Sequence, residues 1–145
     1  MTKFLTLNNK EIKIDIDPTL YKVKNQENAR SSGQYNLGMV IQEIYGSQAL
    51  LLEEFPVPGE RLFLDFLLLH YKLAFEYHGS QHDVFNAHFH YNREGFERSK
   101  SRDDRKLRWC ELNNITLIEV RNSEITSDEL RVEIERRYSD GESIR

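Results

Sequence analysis

Cysteine is the scarcest chemistry in this 145-residue chain, which has only Cys110. One thiol closes no internal disulfide and builds no thiolate zinc cluster, so redox and zinc-finger functions are disfavoured. Three prolines and seven glycines gather into no linker, and there is no internal repeat or low-complexity tract, so a single domain over residues 1–145 is expected. Long hydrophobic runs are missing as well. LFLDFLLL and ALLL fall far short of the roughly 18 uninterrupted apolar residues that a membrane-spanning helix needs, and the first carries an aspartate. The N-terminus, MTKFLTLNNKEIKIDID, has no apolar core followed by small residues of the kind that directs export. A cytosolic protein with no membrane partner is the expectation.

What is present suffices for a packed domain: 39% of the residues are hydrophobic and 11% aromatic. The net charge of −4 argues mildly against a nucleic-acid partner, but its distribution argues the other way. Residues 93–108 hold seven basic side chains against four acidic ones, whereas residues 121–145 hold five against seven. Taken alone, the basic stretch is most simply a solvated helix face.

Hydrophobic periodicity predicts the elements. After an Asn8-Asn9 turn, Ile12, Ile14 and Ile16 alternate with polar neighbours as in a hairpin, so residues 1–30 read as an N-terminal hairpin and polar loop carrying Lys22, Lys24 and Arg30. Ser31 or Ser32 can cap a helix whose Leu37, Val40, Ile41 and Ile44 form one stripe ending near Gly46. A short strand over 49–52 and the connection EEFPVPGER lead into two apolar strands, LFLDFLLL and KLAFEY, separated by His70 and Tyr71. A long polar loop over 79–101, a helix over 102–112, a strand over 115–120 and a last helix opened by Ser127-Asp128-Glu129 complete the chain. The order α, β, β, β, α, β, α implies an α/β fold, a central mixed sheet flanked by helices.

Asp65 interrupts a strand that is otherwise Leu and Phe, where an unpaired carboxylate is expensive. With a two-residue loop at His70-Tyr71, residues whose numbers sum to 141 lie opposite one another, and Asp65 then faces Glu76. Opposed carboxylates repel unless a proton or cation is shared. Oxygen donors suit Mg²⁺, or Mn²⁺, far better than zinc. His78 projects from the same face as Glu76, and His82 follows within a turn, placing two imidazoles beside the acids. On a helical wheel centred on Leu107, Asp103 falls at about −40° and Cys110 at about −60°, facing the sheet, with Trp109 on the opposite side. Asp103 can equally be a first-turn cap.

These residues resemble a family. LFLDFLLLHYKLAFEYHGSQH, FNAHFHYNREGF and RDDRKLRWCELNNITLIEV are similar to the very-short-patch-repair branch of the PD-(D/E)xK nucleases, particularly its phage and homing-endonuclease relatives, over about residues 31–121. The resemblance implies a restriction-endonuclease-like core over that span, with 122–145 as a C-terminal helix and tail. It implies Asp65 as the metal-binding aspartate, Glu76 as the acid of the next strand, and His78 at the position of the pattern's lysine. His82 matches the second histidine at a spacing one residue shorter, and Asp103 and Lys106 match the late aspartate and its basic companion. The family's first helix contributes a glutamate, and here Gln34 stands in its place; Glu43 is a substitute that lies off the stripe.

The expected function is therefore a Mg²⁺-dependent endonuclease that nicks or cleaves DNA, and the resemblance to phage relatives implies a phage origin. Asp65 and Glu76 hold the ion, His78, His82 and Asp103 serve the chemistry, and Arg102, Arg105 and Lys106 offset phosphate charge. RNA or branched DNA as substrate is one alternative, and a non-catalytic nucleic-acid-binding module, motivated by Gln34, is another. His82, His88 and His90 with Asn92 also allow a zinc site, for which no fourth ligand is apparent, or an HNH loop, which needs its own ββα frame. Phe85, Phe89, Tyr91 and Phe96 read as a packing cluster, and Cys110 as core.

Overall fold

The computed structural model describes residues 1–79 and 93–144. Strands β1 (Thr2–Leu5) and β2 (Glu11–Ile14) pair antiparallel, with Phe4 opposite Ile12. The turn between them is closed by Asn9, whose φ of 62° lies in the left-handed region that asparagine tolerates. Helix α1 (Ser32–Tyr45) begins where Ser31 accepts the Gln34 backbone N–H at 3.1 Å and ends at Gly46, φ 84°. Strands β3 (Leu51–Pro56), β4 (Phe63–Leu68), β5 (Leu73–Tyr77) and β6 (Thr116–Val120) form one sheet in the order β3-β4-β5-β6. The first three are antiparallel and β6 runs parallel to β5. Helix α2 (Arg93–Leu112) precedes β6, and helix α3 (Ser127–Ile144) closes the chain. The fold is α/β with a mixed central sheet, as the element order implies.

Two apolar clusters cover the two faces of the sheet. On one, Leu37 and Ile41 of α1 and Leu130 and Ile134 of α3 pack on Phe66, Phe75 and Ile118. On the other, Phe4 of the hairpin and Trp109 and Cys110 of α2 pack on Leu52, Phe55, Leu64, Leu67 and Ala74. The hairpin is locked to the end of α2 by Asn113, whose side chain accepts the Leu5 N–H at 2.7 Å and donates to the Leu5 carbonyl at 3.0 Å.

Four local expectations change. The β4–β5 connection is not a two-residue loop: Leu69–Tyr71 form a 3-10 turn closed by Lys72 at φ 54°. Loops of two and four residues about the same centre give the same register, so Phe66 still faces Phe75 and Leu67 still faces Ala74. Strand β3 extends through Pro56 instead of stopping at residue 52, because it is the sheet edge, where a missing N–H breaks no ladder bond. Helix α2 starts at Arg93 rather than near 102; its first two turns mix four charged residues with Gly95, Phe96 and Ser99 and so carry no apolar period. Its inward face also differs from the wheel: Leu107 is 40% exposed, whereas Trp109 is fully buried, 5.3 Å from the Phe4 ring. The indole outweighs the leucine in buried area and meets the hairpin, so the helix turns that side inward.

Along β3 and β4 the side chains do not keep strict alternation. Leu52 and Phe55 both belong to the hairpin-side cluster, as do Leu64 and Leu67 on the facing strand, while Leu51, Phe66 and Leu68 belong to the other. The slip falls at Glu54, which adopts φ 54°, and at Asp65, between the pairs Glu53–Phe66 and Phe55–Leu64. Such an irregularity re-aims a side chain at the end of a ladder, and here the side chain is Asp65.

Candidate active site

A cavity of about 510 Å³ opens beside that irregularity. Asp65 and Glu76 line it from adjacent strands, 7% and 3% exposed. They engage each other's strand: the Asp65 N–H donates to Glu76 Oε2 at 2.6 Å, and Asp65 Oδ2 accepts the Tyr77 N–H at 2.8 Å. Lys106, projecting from α2, donates to Glu76 Oε1 at 2.5 Å. Arg30 Nη1 stands 3.8 Å from Asp65 Oδ1. Two cations thus approach two acids, but only Lys106 is in hydrogen-bond contact.

The electrostatics follow from that geometry. Burial, and then the neighbouring Glu76 charge, push the Asp65 carboxyl up to about 7, against the opposing pull of the Tyr77 N–H, Lys106 and Arg30. Glu76 is raised too, chiefly by burial and also by Asp103, although Lys106 and the Asp65 N–H favour its charged form. This pair has more negative charge than its surroundings compensate, a condition that a proton or a bound cation relieves.

His78 lies at the end of β5, 8% exposed and lining the cavity, with its backbone N–H on the Val120 carbonyl at 2.9 Å. Its Nε2 is 3.8 Å from Glu119 Oε2. Asp103 and Arg102, from the cavity-facing part of α2, complete that wall, so four of the five catalytic candidates, Asp65, Glu76, His78 and Asp103, share one cavity. His82, with His88, His90 and the neighbouring loop aromatics, lies outside the described residues. Lys106 also lines the cavity, but its ammonium is the counter-ion of Glu76. Arg105 is placed elsewhere: its Nη1 is 3.6 Å from Glu60 Oε2, and it does not line the cavity.

Gln34 lines the cavity from the first turn of α1 and is 3% exposed. Its Nε2 donates to Glu53 Oε2 at 2.8 Å, and Glu53, equally buried, accepts the Lys24 backbone N–H at 2.8 Å through its other oxygen. The sequence reading missed Glu53 because EEFPVPGER looked like a connection; extending β3 through Pro56 would have revealed its register position. It also missed Arg61, Phe63 and Tyr77, which line the cavity mouth, where Phe63 is 53% exposed. An exposed phenylalanine at a strand start carries no periodic signal.

Among the described residues, no cluster of three or more His, Cys, Asp and Glu side chains is placed to hold a metal ion. Asp65 and Glu76, the two buried carboxylates that line the cavity, are hard oxygen groups, a chemistry that suits a Mg²⁺-class cation better than zinc.

An α/β domain with paired carboxylates in a cavity rimmed by Arg30, Arg61, Arg102 and Lys106 is the class of protein defined by fold and site. The chain is similar to two viral proteins. It is 53% identical over 49 residues to uncharacterized protein 307L of Invertebrate iridescent virus 6, covering 34% of this chain and 25% of that protein. It is 40% identical over 65 residues to uncharacterized protein 033L of Invertebrate iridescent virus 3, covering 45% of this chain and 34% of that protein. The chain therefore spans between a quarter and about a third of the length of the curated relatives it matches. No family model and no solved structure matches it. No helix among the described residues is long and apolar enough to cross a membrane.

Proposed function

We propose that this domain is a metal-dependent endonuclease acting on phosphodiester bonds of DNA, on a restriction-endonuclease-like core. The observation that carries the proposal is the Asp65–Glu76 pair: two buried acids from neighbouring strands, facing one cavity whose rim carries four cations. Burial, and then the neighbouring Glu76 charge, push Asp65 up to about 7 despite the Tyr77 N–H, Lys106 and Arg30.

Asp65 and Glu76 are the residues that would hold Mg²⁺, or Mn²⁺. When bound, the ion supplies Lewis acidity toward a phosphate oxygen and lowers the pKa of water. Arg30, Arg61 and Arg102 draw the phosphodiester to the cavity mouth and offset its charge. His78, whose Nε2 is 3.8 Å from Glu119 Oε2, takes a proton from the attacking water or returns it to the leaving oxygen. Asp103 faces the same space and orients that imidazole or water. His82 belongs to this proposal by its sequence position only. Relatives from invertebrate viruses support a viral setting more directly than a phage setting.

The decisive experiment incubates supercoiled plasmid with the protein, with Mg²⁺ or with chelator. Nicked circles that form only with Mg²⁺ support the reading, and intact plasmid across Mg²⁺ and Mn²⁺ overturns it. Duplex, branched DNA and RNA substrates run in parallel assign the nucleic acid. One observation favours a second reading, a non-catalytic nucleic-acid-binding module: Lys106 already occupies Glu76 Oε1 at 2.5 Å. That reading predicts salt-sensitive DNA retention with no cutting under any divalent ion.

A further inference from the structure

Glu53 is a carboxylate buried to 3% exposure that accepts hydrogen bonds from two neutral donors, the Lys24 backbone N–H and the Gln34 side-chain nitrogen, each at 2.8 Å. Burying an anion against neutral N–H groups is a poor way to stabilise a fold, since charge desolvation outweighs a single hydrogen bond. Gln34 stands between Glu53 and the cavity: it lines the cavity wall, whereas Glu53 does not. The chemistry of the pair also decides which end of the amide points where. An ionised carboxylate only accepts, so the Gln34 atom facing Glu53 is nitrogen, and the amide oxygen is left on the other side.

We propose that Glu53 is a positioning residue of this site: by holding the Gln34 nitrogen it turns the Gln34 oxygen toward the cavity, as a third, neutral donor beside Asp65 and Glu76 for a divalent cation. The inference rests on the metal-dependent reading above and deepens it. A neutral third donor suits the site. An amide oxygen adds a ligand without adding charge to a cavity that Asp65, Glu76 and Asp103 already line. The negative charge of Glu53, held one side chain behind, polarises the amide without competing for the ion.

Calorimetric titration of the full chain with Mn²⁺, in the absence of nucleic acid, tests this assignment independently of cleavage. In Glu53→Gln the new amide can present its NH₂ to residue 34, which flips Gln34 and puts nitrogen in the cavity; Mn²⁺ affinity falls about tenfold or more. Gln34→Met removes the oxygen at nearly constant volume, and its affinity falls comparably. The exchanged pair, Gln34→Glu with Glu53→Gln, restores an oxygen to the cavity and recovers affinity at least to the starting value. Thermal unfolding monitors the fold of each variant, and should Glu53→Gln not fold, Gln34→Met decides alone. Wild-type binding that neither single substitution weakens overturns the assignment of Glu53 and Gln34 while leaving the metal reading intact. Wild-type protein that takes up no Mn²⁺ overturns both.

Discussion

Asp65 gives its backbone N–H to the carboxylate of Glu76 at 2.6 Å, the same carboxylate whose charge raises its own. The strand end is held together by a bond that favours ionised Glu76, while burial and mutual repulsion favour a proton. The pH dependence follows in sign. A carboxyl raised from 3.8 to about 7 binds its proton more tightly folded than unfolded. Its stabilising contribution is fully present below about pH 4 and is lost as pH rises through about 7, by at most about 4 kcal/mol if Asp65 acted alone. Urea unfolding in chelator at pH 5, 6.5 and 8 should show this decline, and Asp65→Asn should flatten it. Equal pH slopes in the two proteins would remove the shifted carboxyl.

The same substitution separates chemistry from folding. The amide oxygen of Asn can still accept the Tyr77 N–H, so the fold persists, at pH 8 with stability equal to or above that of the parent. Nicking of plasmid in Mg²⁺ should fall roughly 100-fold or more, the scale at which removing one preorganised polar group acts on catalysis. Undiminished nicking would rule Asp65 out of the reaction.

Lys106 argues a different point. Its ammonium is largely buried against Glu76, so Lys106→Met leaves a buried acid without its contacting cation. The loss of stability should be about 3 kcal/mol at pH 8, the low end of breaking a buried pair, and smaller at pH 5, where Glu76 takes up a proton instead. Denaturant midpoints at the two pH values check this; a loss that does not vary with pH would mean that Lys106 acts by packing.

The order of elements and the register of β4 against β5, Phe66 on Phe75 and Leu67 on Ala74, are readable in the sequence because both depend on apolar period and loop symmetry, which survive a misjudged turn. The roles on α2 were harder. A wheel weights Leu107 as core, but the helix has few apolar residues, and the hairpin supplies Phe4 as a partner for Trp109 from over 100 positions away. Nothing local carries that information. Glu53 was hidden for a related reason: Pro56 and Pro58 read as a connection, and only the edge position of β3 lets a strand run into them. Arg105 was assigned to phosphate by its neighbourhood in sequence, whereas its partner Glu60 lies on the β3–β4 turn.

The orientation of α2 yields its own prediction. Trp109→Ala should lower stability by about 3–5 kcal/mol, as large aromatic truncations in a core do. Leu107→Gln should change it by less than about 0.5 kcal/mol, since that side chain is 40% exposed. Thermal or urea unfolding of the two variants distinguishes the orientations, and the reverse ranking would restore the wheel centred on Leu107.

Gly33 supplies the last prediction, because it couples α1 to the site. A Cβ there would lie 2.2 Å from the Tyr77 ring, far inside contact distance, in a helix where alanine is otherwise the better residue. Tyr77 in turn donates its N–H to Asp65, so a displaced ring strains the residue that holds the Asp65 carboxylate. Gly33→Ala should therefore destabilise by about 1–3 kcal/mol through overpacking and reduce Mn²⁺ affinity with it. Shortening the ring, in Gly33→Ala with Tyr77→Val, should recover much of the affinity, because the valine keeps the backbone N–H and vacates the space the methyl needs. The double variant is the sharper test: if trimming residue 77 does not rescue ion binding, the link from α1 through Tyr77 to Asp65 is not the cause.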